Sequence, residues 1–225
     1  MSAAPQHTSI TRLVLVRHGE ASGNRELRYL GVTDAPLTER GQEQARQIAA
    51  ALSPFAVSAV YSSPLQRAQF TAAAIGAALG LAIQPEPELR EQDFGAWENH
   101  TRAEVLALDP ETLAAWERSA EVAPTGGESL AQVRDRTIAC VDRLAAQHPG
   151  ETIALVSHVG PVKALICAAL ALPLAGAQRM WLDPASLCVL DWRITASGPS
   201  TGMLHIFNGI AHLDPPPRWL SAGLK

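Results

Sequence analysis

Three short apolar runs divide the chain into strand–helix units. Leu13-Val14-Leu15-Val16, Val57-Ser58-Ala59-Val60-Tyr61 and Ile153-Ala154-Leu155-Val156 are each bounded by polar or turn residues, as buried strands are. The pattern predicts strands over 11–17, 57–61 and 153–157, a short strand over 81–83, and two late strands over 186–193 and 202–207 that pair as a hairpin. Between them, apolar positions recur at helical spacing. Ala45, Ile48, Ala49 and Leu52 predict a helix that opens at the cap Thr38 and stops at Ser53-Pro54. Pro64 predicts the first turn of a second helix, ending at Gly80. A long helix starts at Glu128 or Ser129 and ends near His148-Pro149-Gly150, and another follows over 161–172. Weaker helical patterning covers 101–119.

Strands alternating with helices imply a three-layer α/β/α sandwich with a mostly parallel sheet, helices on both faces and a small helical insertion. The expected organisation is a flexible tail over 1–9, one domain over 10–213 with the insertion at about 92–127, and a C-terminal tail over 214–225.

At 225 residues the chain can bury a substantial core. Its 47% hydrophobic and 18% charged residues are ordinary for a globular protein, and a net charge of −4 offers no basic face for nucleic acid. Cys140, Cys167 and Cys188 are scattered and form no CxxC pair, so they are expected as buried thiols in a reducing compartment. The first ten residues lack the basic and apolar regions of a signal peptide, and the apolar stretch 153–174 is broken by Ser157, His158, Pro161 and Lys163. The expectation is a soluble cytoplasmic protein with no membrane or nucleic-acid partner and a possible homodimer edge at the late hairpin.

Chemistry collects where the strands end. Arg17-His18-Gly19 follows the first strand, Ser62-Ser63 leads to Arg67 after the second, and His158 follows the strand at 153–157. Open α/β sheets place ligand sites at that edge. A neutral imidazole is a competent nucleophile toward phosphorus, and a glycine after His18 offers a carbonyl to its second nitrogen. Two guanidiniums suit the equatorial oxygens of a phosphoryl group in transfer. A leaving alkoxide needs a proton, so an acid with a raised pKa is expected opposite the nucleophile. His18 is therefore the expected nucleophile, His158 a second phosphate donor, Arg17 and Arg67 the phosphate clamps and Glu91 the acid. Glu20 competes for the acid role, although its position suits a cap or an ion pair. The two imidazoles are expected to face each other across a common anion.

Taken singly, each residue has a plainer reading. Arg67 would sit on a helix surface, Asn24 would form a turn, Arg25 and Arg28 would be exposed, and Trp97 and Trp116 would pack the insertion. Only the joint pattern points to chemistry.

These residues resemble the histidine phosphatase superfamily, which includes the cofactor-dependent phosphoglycerate mutases. Arg17-His18-Gly19-Glu20 with Asn24, the run from Ser62 to Ala72, the run from Leu89 to Glu98, and Val156-Ser157-His158 match its four blocks in order. The resemblance implies a phosphohistidine at His18 with no cofactor and no metal. It implies phosphate or substrate contacts from Arg17, Asn24, Arg67, His158 and Val159, with Glu91 as proton donor and then base. Two departures stand out. Ala21 replaces a common Ser or Thr, which Ser22 is a candidate to replace, and Asn99 stands where a glycine is frequent. The insertion offers only Arg102 and Arg118 against seven acidic residues, which favours water as the acceptor and hence a phosphomonoesterase on a small phosphorylated metabolite. Later blocks resemble α-ribazole phosphatase, so α-ribazole 5′-phosphate is the nearest specific substrate. Phosphoglycerate mutase, a broad sugar-phosphate phosphatase and a phospholigand-binding module are the alternatives.

Overall fold

A computed structural model describes residues 10–195 and 198–217. The tail expected over 1–9 and the end of the C-terminal tail lie outside the described residues. Six strands form a single sheet: β1 (Ile10–Arg17), β2 (Val57–Ser62), β3 (Ile83–Pro85), β4 (Thr152–Ser157), β5 (Leu187–Arg193) and β6 (Thr201–Gly209). Their order is β3-β2-β4-β1-β5-β6. The first four pair in parallel, while β5 runs antiparallel to both β1 and β6.

Residues 13–16 of β1 and 153–156 of β4 are buried on both faces, as expected of strands in the middle of a covered sheet. Alternation divides them between two cores. Leu13, Leu15, Ile153 and Leu155 pack against α5 (Leu130–Gln147) and α6 (Val159–Ala169) through Val141, Leu144, Leu165 and Ile166. Val14, Val16, Ala154 and Val156 pack against α1 (Glu39–Ala51) and α2 (Gln66–Leu79) through Ile48, Ala72 and Ile75. The result is the three-layer sandwich.

Caps set the helix starts. Thr38 accepts the Gly41 N–H at the head of α1, and Ser129 forms a reciprocal capping box with Gln132 at the head of α5. Four boundaries differ from those read in the sequence. Pro64 does not open α2. The helix begins at Gln66, whose N–H is capped from a distant loop by Asp34 Oδ1 at 2.7 Å. The short strand lies at 83–85 because Leu81 is used to close α2, its N–H bonding to the Gly76 carbonyl. α6 starts two residues early and accommodates Pro161 in its first turn, where no hydrogen bond is lost. The insertion is two helices, α3 (Arg102–Leu108) and α4 (Pro110–Trp116). Pro110 forces Asp109 out of the helical region, to φ −147°, and Asp109 then caps α4.

Among the described residues no helix is long and apolar enough to cross a membrane.

Candidate active site

The register of the sheet brings the two expected histidines together. Arg17 of β1 stands opposite Ser157 of β4, so His18 and His158 emerge side by side from adjacent parallel strands. The His18 N–H continues the ladder by donating to the Ser157 carbonyl at 3.1 Å. On the far side of β4, the Ser63 N–H donates to the Val156 carbonyl at 2.9 Å. His18, Ser63 and His158, from three strand ends, thus meet at one edge.

His18 is nearly fully buried. Its Nδ1 lies 2.7 Å from the Gly19 carbonyl oxygen. A carbonyl can only accept, so Nδ1 carries the proton and Nε2 keeps its lone pair. Gly19 is required by contact rather than by a left-handed turn, since a Cβ there would lie 2.3 Å from the Gly41 carbonyl oxygen. Burial, reinforced by Arg67 and Arg17, pushes the His18 imidazole well below its ordinary value of 6.5. His158 is pushed down in the same way, by burial and then Arg67. Both rings are therefore neutral near pH 7.

The two ring centroids are 4.9 Å apart with planes tilted by 57°. The rings thus stand next to each other, with no room for a phosphate between their faces. His18 lines the cavity, and His158 lies behind it, fully buried. His158 Nε2 is 2.7 Å from Ser63 Oγ.

Arg67 is 1% exposed, against the surface position expected of an arginine on a helix. It sits in the first turn of α2 and donates to the carbonyls of Thr33 and Gly31 at 2.7 and 2.6 Å. Glu98 holds that loop, accepting the N–H groups of Val32 and Thr33 at 3.0 and 2.8 Å. Glu98 was read in the sequence as an acidic residue of the insertion and the end of a matching block, with no role of its own, because nothing local marks a carboxylate that ties a loop 65 residues away. Arg17 donates to the Leu182 carbonyl at 2.5 Å, and burial lowers its pKa to about 10.

Arg17 Nε, Arg67 Nε and His158 Nδ1 are buried with no hydrogen-bond partner among the described residues. Unsatisfied buried polar groups are costly and uncommon. Two guanidinium Nε–H donors and an unpaired imidazole nitrogen in one cluster suit an anion.

Glu91 faces this cluster at the head of α6. Its carboxylate accepts the N–H groups of Val159 and Gly160, both at 3.0 Å, and that of Gln92 at 2.9 Å. Val159, read from the resemblance as a phosphate or substrate contact, lines the cavity but spends its N–H on Glu91. Arg136 of α5 anchors the same loop by donating to the Glu91 carbonyl at 3.0 Å and the Glu88 carbonyl at 2.6 Å. Glu20 is not at the cavity. It pairs with Arg25 at 3.1 Å and accepts the Thr38 hydroxyl at 2.8 Å.

Asn24 both lines the cavity and ties its own turn, with Oδ1 accepting the Ala21 N–H at 2.8 Å. Ser22 is exposed and does not line the cavity, so it does not replace the hydroxyl missing at Ala21. Asn99 adopts φ +63°, a conformation favoured by glycine and tolerated by asparagine, and its carbonyl accepts from Arg28 at 2.6 Å.

The cavity extends outward from this cluster with a volume of about 300 Å³. Tyr29, Phe94, Trp116 and Trp181 contribute its wall, while Trp97 is buried behind them. Trp116 therefore does more than pack the insertion. Lys163 of α6 also reaches this wall, a residue that the sequence showed as a break in an apolar stretch and not as part of the site. Among the described residues no group of three His, Cys, Asp or Glu side chains could hold a metal ion.

A family model for the histidine phosphatase superfamily (branch 1) matches residues 13–197. The chain is 39% identical over 186 residues to the Bifunctional protein Rv2228c of Mycobacterium tuberculosis, covering 81% of this chain and 50% of that protein. It thus spans about half the length of the first curated relatives it matches. It is 35% identical over 171 residues to the Adenosylcobalamin/alpha-ribazole phosphatase of Escherichia coli strain K12, covering 76% of this chain and 83% of that one. The solved structure of mycobacterial glucosyl-3-phosphoglycerate phosphatase Rv2419c with VO3 superposes with a TM-score of 0.80 at 32% identity, covering 88% of this chain and 99% of that one.

Proposed function

The chain belongs to the histidine phosphatase superfamily, and we propose that it is a phosphomonoesterase that hydrolyses a small phosphorylated metabolite through a phosphohistidine at His18. The observation that carries this reading is the hydrogen bond from His18 Nδ1 to the Gly19 carbonyl, which leaves Nε2 bare in the cluster that holds the unsatisfied Nε–H donors of Arg17 and Arg67. In the first step Nε2 forms a bond to phosphorus as the P–O ester bond breaks. The guanidiniums and His158 stabilise the equatorial oxygens. Glu91, which faces the cluster from the head of α6, gives a proton to the departing oxygen. In the second step Glu91, now ionised, takes a proton from water as that water's oxygen attacks phosphorus. The N–P bond breaks and inorganic phosphate leaves.

Water as the acceptor is supported by the state of the cations near the insertion. Arg28 is paired with Glu104 at 2.9 Å and Arg102 with Glu117 at 2.6 Å, so neither is free to hold a second phosphate for mutase chemistry. The leaving groups named for the relatives differ in kind. α-Ribazole is a neutral nucleoside, whereas the glucosylglycerate released from glucosyl-3-phosphoglycerate carries a carboxylate.

Incubation with a ³²P-labelled phosphoester and rapid quenching tests the reading. The expected result is an acid-labile label on the wild-type protein. His18→Ala loses both the label and turnover, by at least about a thousandfold. Unimpaired turnover in His18→Ala, or anion binding with neither label nor turnover, overturns it.

A further inference from the structure

We propose that Lys163 reads a carboxylate on the leaving group of the substrate. The inference rests on the phosphatase reading above and names the substrate class for that same cavity.

Arginine dominates the cationic residues of this chain. Of 18 Lys and Arg residues, only Lys163 and the terminal Lys225 are lysine. Lys163 lies in the second turn of α6, a helix whose other residues are mostly buried and apolar. It is half-buried, and it lines the cavity four residues after Val159, on the same helical face. Among the described residues it has no ion-pair or hydrogen-bond partner, whereas Arg28, the other cation on the outer wall, is engaged by Glu104 and the Asn99 carbonyl.

Local electrostatics argue against a structural reason for this placement. The ammonium stands near the positive end of the α6 dipole. Burial lowers its proton affinity, Glu91 is the main charge that opposes this, and Arg17 adds a smaller repulsion. A half-buried cation with no ion-pair or hydrogen-bond partner is the kind of local conflict that folds retain at functional sites. Elsewhere on the same wall, Trp116 and Trp181 offer apolar surface and no charge. A ligand that sets an anionic group against Lys163 and its apolar body against the tryptophans removes the conflict. The phosphoryl group is already provided for by Arg17, Arg67 and His158, so the second anion belongs to the leaving alcohol. A single ammonium matches a carboxylate, whereas a second phosphate calls for a guanidinium fork. This shifts the expected substrate from the neutral α-ribazole 5′-phosphate to a phosphorylated hydroxy acid.

A matched pair of esters tests the proposal. 3-Phosphoglycerate and glycerol 3-phosphate differ only in a carboxylate against a hydroxymethyl group. Wild type is expected to prefer the acid by roughly ten- to a hundredfold in kcat/KM, the scale of one charge-assisted hydrogen bond. Lys163→Met, which keeps the apolar stem, brings that ratio near one through KM, and Lys163→Arg retains the preference. A wild type with no preference overturns the assignment. So does a Lys163→Met variant that loses kcat equally on both esters, which makes the residue a partner of Glu91 instead. If wild type forms the labelled phosphoenzyme and turns over both esters alike, the phosphatase reading stands and this inference falls. If it hydrolyses neither and forms no phosphoenzyme, both fall.

Discussion

At the scale of single residues, the site is built from contacts that leave no spare volume. Gly160 shows this best. A Cβ added there would lie 2.5 Å from Glu91 Oε1, the atom that the Gly160 N–H itself holds at 3.0 Å. Gly160→Ala is therefore expected to displace the carboxylate while leaving Arg17, Arg67 and His18 in place. Steady-state kinetics should show kcat reduced by roughly ten- to a thousandfold, as for loss of a positioned acid–base group, with little change in inhibition by inorganic phosphate. Unchanged kcat would remove Glu91 from the chemistry. The same economy explains Asn99, which fills a left-handed position and uses its carbonyl to hold Arg28.

At the scale of elements, α5 does more than cover the sheet. Arg136, midway along it, gathers the Glu88 and Glu91 carbonyls and both carboxylate oxygens of Glu128. Glu128 in turn accepts the Asp93 N–H at 3.2 Å and pairs with Arg90 at 3.0 Å. One guanidinium thus fixes the loop from β3 to the insertion, and with it the backbone of Glu91. Arg136→Ala leaves two carbonyls and a half-buried carboxylate short of donors. Its expected cost is about 2–4 kcal/mol, read from the urea midpoint. A loss below about 0.5 kcal/mol would mean that the loop is held by other contacts.

At the scale of the whole molecule, the site sets how stability depends on pH. His18 and His158 are both held well below 6.5 in the folded chain. An unfolded chain binds protons at these positions as the pH falls through about 6.5. The folded chain does not follow until lower pH. Stability from this source is therefore full above about 6.5 and is lost as the pH falls toward the depressed folded values. Urea midpoints measured from pH 7.5 down to 5 should decline, and His158→Gln should decline less steeply. An equal decline in both proteins would assign the acid sensitivity to other groups. The fold accepts this liability because two neutral imidazoles and two buried guanidiniums are what the anion site requires.

Much of this architecture was legible in the chain itself. Apolar runs of four residues, too uniform to alternate, mark β1 and β4 as strands covered on both faces, and Thr38, Ser129 and Gly80 mark helix ends by their own backbone chemistry. Arg17-His18-Gly19 and His158 stand at strand ends in the sequence, and a parallel sheet puts such ends on one edge. These features are local, so sequence determines them. What depended on distant chain segments was decided by tertiary structure. The cap of α2 comes from Asp34, the loop under Arg67 is tied by Glu98, and the N–H groups that hold Glu91 belong to α6. The same holds for the 4.9 Å approach of the two imidazoles and for Lys163 facing a cavity from inside an apolar run. Hydrogen bonds and close packing act over about 3–4 Å in space, whatever the separation along the chain. Partners that are 32 to 140 residues apart in sequence therefore have no local signature.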